Sequence, residues 1–203
     1  MAEVSPTIWI WVGLAALPLV LALCTAFTKS LVVVGALRTG LGAETFLPWP
    51  IVLAVATVIT GVVMLPVANA LALALESVGG LQSVIQAPAE HAAALLQPLL
   101  EFTHRHADAA ELEFFSELQG RSPQQAWVSV PAFLVTELTE ALAIAVVILV
   151  PFVLADLVVS QALMLGGLAS VPQPLVSVPV KLLLFLAVGG WDVVIGGLVK
   201  GYA

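Results

Sequence analysis

Apolar residues gather along this chain in four long blocks, at 8–27, 51–75, 131–160 and 176–199. Each is close to the ~20 residues a helix needs to cross a bilayer. Between the second and third blocks the pattern changes. From 76 to 125, acidic and polar positions alternate with Leu95, Leu96, Leu99, Leu100 and Phe102, then Leu112, Phe115 and Leu118. That spacing predicts a helical hairpin with one apolar face, lying outside the membrane. The predicted fold class is an all-α membrane protein of broken helical hairpins with an acidic extramembrane helical segment. Its organisation is an N-terminal hydrophobic hairpin (1–75), the acidic segment (76–126) and a C-terminal hydrophobic hairpin (127–203).

The block at 131–160 organises the rest, because it is long and apolar yet carries Glu137, Glu140 and Asp156, with Pro151 inside it. A charge at the bilayer centre costs roughly 2.5–3.5 kcal/mol on insertion scales, so such residues face a protein partner or a watery cavity. Glu137 and Glu140 are three apart and are expected to share one helical face. A plain lipid-facing anchor has no use for them.

The other blocks are interrupted as well. Pro18 lies within the first, which leads through Thr28-Lys29-Ser30 into a further apolar turn closed by Arg38 and Gly40. Two readings stand: a spanning helix with a positive flank, or one long broken helix whose Lys29 pairs with a distant acid. The stretch 46–50, FLPWP, is a turn with Trp49 suited to an interface. Gly61 and Pro66 break the second block, where Thr57, Thr60 and Asn69 read as helix-packing positions. Beyond the organising block, Met164, Leu165, Gly166, Gly167, Leu168, Ala169 and Ser170 lead into a Val-Pro-Gln-Pro sequence that no helix continues through. Such backbone is either an exposed loop or the lining of a cavity. The last block carries Lys181 near its start and Asp192 after Gly189-Gly190-Trp191. Asp156 and Lys181 flank the Gly/Pro turn at comparable distances, so an antiparallel hairpin would bring them together.

Composition agrees. The chain is 61% hydrophobic and 9% charged, with mean hydropathy +1.13, against about 25% charged residues in soluble domains. Its net charge of −7 comes largely from the acidic segment and gives nucleic acid no electrostatic purchase. The single cysteine, Cys24, forms no intrachain disulfide. The N-terminus lacks the basic start of a secretory signal peptide and is expected to be retained. Lys29 and Arg38 flank the first loop and Lys181 the third, which places the acidic segment and both termini outside. His104 and His106, two apart on a helix, point to different sides. No metal-binding motif accompanies them, and neither a catalytic constellation nor a cofactor or metal set emerges.

Four blocks of residues resemble a known family. Ala26-Phe27-Thr28-Lys29 with Leu37-Arg38 and Leu41-Gly42 is the first, and Pro131-Ala132-Phe133 with Thr136-Glu137-Leu138 the second. Pro151-Phe152 with Asp156-Leu157-Val158-Val159 is the third. Pro179-Val180-Lys181-Leu182-Leu183-Leu184-Phe185 with Gly190-Trp191-Asp192 is the fourth. In this order they resemble the FliP/SctR family, the R-type inner-membrane subunit of the type III secretion export gate. The resemblance implies a non-enzymatic subunit that forms a homo-oligomeric ring, expected to be a pentamer, around a pore for unfolded export substrates. It implies as partners the smaller S-type and T-type membrane subunits and the U-type switch protein. It implies a place in the bacterial inner membrane, partly raised into the periplasm, and subunit contacts at Lys29, Arg38, Glu137, Glu140, Asp156, Lys181 and Asp192.

The chain departs from the family where three consecutive methionines usually seal the pore: Leu168, Ala169 and Ser170 stand there, with Met164 upstream. Thr139 replaces the family's lysine after the glutamate motif, and Leu47-Pro48-Trp49 replaces its Pro-Pro-Asn turn. The chain thus resembles a divergent member, and its N-terminus leans towards the injectisome type. The alternative from the residues alone is a secondary transporter, which also needs charged, broken membrane helices.

Overall fold

The computed structural model describes residues 6–202. The expectation of a retained N-terminus falls on residues outside that range. Within it the chain is helical, in the order α1 (Pro6–Cys24), α2 (Phe27–Leu41), α3 (Trp49–Val63), α4 (Leu65–Ser77), α5 (Gly80–Gln86), α6 (Pro88–His106), α7 (Ala109–Gln119), α8 (Ala126–Leu165), α9 (Gln173–Ala187) and α10 (Gly190–Lys200).

The breaks follow turn chemistry. Gly42 sits at φ +65°, with Gly42 N–H donating to Thr39 C=O and Ala43 N–H to Arg38 C=O. This pair of bonds is the Schellman termination, which needs a left-handed residue that glycine adopts without penalty. Gly167 ends α8 the same way, with Gly167 N–H donating to Met164 C=O and Leu168 N–H to Leu163 C=O. The glycine pair therefore stops the organising helix, and Pro172, lacking an N–H, stands before the next one as its N-cap.

α8 runs 40 residues without a break although Pro131 and Pro151 lie inside it. It is longer at both ends than the 131–160 block. Among the described residues it is the one helix long and apolar enough to span a membrane by itself; three bent pairs would bring the number to four. α9 and α10 form one such pair, bent by 61°.

Two compact units divide the described residues. The first holds 6–28 and 61–137. In it α6 packs on α4, α1 and α5, and Phe102 meets Phe133 edge to face with centroids 5.6 Å apart. Thr103 Oγ1 donates to Leu100 C=O and lies 3.4 Å from Ser129 Oγ, so these buried hydroxyls are satisfied. Asp108 caps α7 by accepting from Ala110 N–H, while its own N–H donates to Thr136 Oγ1 on α8 at 2.9 Å.

The second unit holds 29–60 and 138–202. Val33, Val34, Leu37 and Leu41 of α2 form its core with Val52 and Ile59 of α3, Ala141 and Phe152 of α8, Phe185 of α9, and Val194 and Leu198 of α10. Gly40 makes this approach possible. A Cβ there would stand 2.7 Å from Phe152 Cδ2 and 2.9 Å from Leu149 Cδ2.

Candidate functional site

Lys29, Arg38, Glu140, Asp156 and Lys181 of the second unit are held in place by particular partners. Lys29, on the first turn of α2, is buried, and its Nζ lies 2.6 Å from Glu140 Oε2 on α8. The same ammonium sits 4.2 Å from the centroid of the Tyr202 ring, a cation–π contact. Of the two readings of the first block, the structure takes the broken helix with a paired lysine.

Asp156 on α8 meets Lys181 on α9 at 3.1 Å, and Lys181 is buried. The Gly/Pro turn thus folds back as an antiparallel hairpin that joins these two. Gln173, the first residue of α9, reaches the same place, its Nε2 donating to the backbone carbonyl of Asp156 at 3.0 Å. Gly42 closes in from another side, and a Cβ there would lie 3.5 Å from Lys181 Nζ.

Arg38 is a turn clamp. Its Nε donates to Leu47 C=O at 2.6 Å, and its guanidinium lies 5.1 Å from the Trp49 ring centroid. Trp49 is exposed and offers its ring to the Arg38 guanidinium. Asp192 is exposed on the first turn of α10, where the helix dipole favours a carboxylate. Glu137 is 1% exposed in the first unit, whereas the Glu140 side chain is 53% exposed. Residues three apart on a helix stand about 60° from one another, which is enough to straddle the edge of a buried face. Burial within the chain extends to Lys29, Glu137 and Lys181 but not to Glu140 or Asp192.

The stretch 164–170 is exposed throughout, with Leu165 at 88% and Met164 at 64%. His106 is occupied locally: Nδ1 lies 2.9 Å from Phe102 C=O and the ring 4.3 Å from that of Phe102. Among the described residues no three His, Cys, Asp or Glu side chains gather as a metal site. Gln173, Gly40 and Tyr202 carry weight that reading the sequence did not assign. Gln173 alone had a local signal, a polar residue between two prolines.

The chain matches the FliP family over residues 10–198. It is 35% identical to "Hypersensitivity response secretion protein HrcR" of Ralstonia nicotianae, over 98% of both chains. It is 30% identical to "Virulence protein YscR" of Salmonella typhimurium, over 94% of this chain and 93% of that one. It is 32% identical to "Flagellar biosynthetic protein FliP" of Pectobacterium carotovorum, over 97% of this chain and 78% of that protein.

Proposed function

Because this chain belongs to the FliP family, a family of structural components of type III secretion and flagellar export rather than enzymes, we propose that it is a core subunit of a type III secretion export gate. In this reading several copies close a ring around the pore through which unfolded substrates pass. The ring is expected to be a pentamer, joined by the S-type and T-type subunits and served by the U-type switch protein. The similarity over almost the full length to proteins named for secretion carries the reading.

Three features of the chain support it. α8, at 1.5 Å per residue, is about 60 Å long, twice the ~30 Å hydrocarbon thickness. A helix of that length fits an assembly in the inner membrane that is partly raised into the periplasm. The exposed 164–170 tip supplies apolar Met164, Leu165 and Leu168 for a pore constriction that lacks the family's methionine triplet. Asp192, exposed on the first turn of α10, leaves a carboxylate for a neighbouring subunit, and the exposed part of Glu140 adds a second acidic surface beside its pair with Lys29. Membership of an export family displaces the secondary-transporter reading.

Native mass spectrometry of the full chain, co-expressed with its genomic neighbours and extracted in detergent, tests this. The expected result is one discrete complex with several copies of this chain and small membrane partners. A monomer or simple dimer without partners would overturn it.

A further inference from the structure

The hairpin formed by the end of α8 and the start of α9 is anchored through Asp156 near its base. Val159 on the outgoing arm and Ser177 on the returning arm are the last buried residues; between them, from 160 to 176, none is buried. Among the described residues, that whole tip makes a single side-chain hydrogen bond, from Gln173 Nε2 to the Asp156 carbonyl at 3.0 Å. Asp156 is thereby held twice. Its carboxylate faces buried Lys181 at 3.1 Å, and its carbonyl accepts from Gln173. The ion pair joins the arms on the core side, and the amide bond joins them closer to the tip.

The geometry points to Gln173 as a positioning residue that sets the resting angle of the 164–170 tip through Asp156. This rests on the pore reading only in taking the tip as the constriction. The ion pair fixes α8 to α9, but it lies eight residues beyond Gln173 on α9 (Lys181 against Gln173), so by itself it does not fix the N-terminal turn of that helix. The Gln173 amide fixes that turn. Pro172 and Pro174 on either side restrict the local backbone, so little backbone entropy is lost in presenting the side chain. A neutral hydrogen bond is a suitable latch here, because its net strength, near 1 kcal/mol, allows a passing substrate to open it.

The test is spin-label mobility in the purified full-length chain, with Cys24→Ala removing the native thiol and Ala169→Cys carrying the label. Gln173→Leu is expected to raise the ratio of mobile to immobile label about fivefold, the factor that one neutral hydrogen bond supplies. Gln173→Lys, which restores a donor of similar reach, is expected to return it to the starting value. Unchanged mobility in Gln173→Leu would overturn the assignment, as would failure of the lysine to restore it. Ion leak in cells expressing Gln173→Leu with the complete export apparatus reads the other premise. A mobilised tip with no change in leak leaves the latch standing and removes the tip from the pore.

Discussion

Lys29 Nζ and Glu140 Oε2 are 2.6 Å apart although 111 residues separate them in sequence, and the pair joins a buried ammonium to a half-exposed carboxylate. The lysine has left water; the glutamate has not. Removing the carboxylate therefore takes a charge-assisted bond from a desolvated cation, while solvent around Glu140 tempers the loss. Glu140→Ala, which leaves no acceptor for the ammonium, is expected to lower stability by up to about 1.5–3 kcal/mol, the range for hydrogen bonds to charged groups. Thermal unfolding of the detergent-solubilised chain measures it, and an unchanged midpoint would show that the pair contributes nothing.

Gly40 gives a steric prediction. A methyl group there would enter the space of Phe152 and Leu149, and overpacking of this kind costs about 1–3 kcal/mol. Gly40→Ala should destabilise the chain. Phe152→Ala, which removes the ring atoms nearest the new methyl, should cost less in the Gly40→Ala background than alone. Additive losses would mean that the two positions do not meet.

Asp156 and Lys181 give an electrostatic one. Breaking a buried pair from one side leaves an unpaired charge, a loss of about 3–5 kcal/mol that partial exposure of Asp156 reduces. Asp156→Lys and Lys181→Asp should each lower the yield of assembled complex on a native gel. The double reversal should restore much of it, and no restoration would show that the contact is not what assembly requires.

The tip sequence is open to direct replacement. If Leu168, Ala169 and Ser170 line the constriction, three methionines in their place should reduce leak of small ions and leave assembly intact, because flexible thioethers conform to a narrow opening. Conductance across membranes holding the complex reads this. Equal leak with normal assembly would place the seal elsewhere.

Much of the architecture was legible in the residues themselves. The all-helical class, the apolar blocks and their interruptions are local properties, set by hydropathy over one span and by glycine and proline at fixed places. Gly42 and Gly167 end α2 and α8 where their sequence puts them. Lys29, Asp156 and Lys181 stood out for an equally local reason: a charge in an apolar run needs a partner. Which partner each takes was fixed by chain return. The short Gly/Pro turn brought Asp156 and Lys181 within foresight, 25 residues apart, whereas Lys29 could have met any of several acids. The uneven burial of Glu137 and Glu140 and the reach of Gln173 to a carbonyl 17 residues back were decided only by tertiary packing. Each depends on what another segment places against it, and no periodicity in the sequence records that.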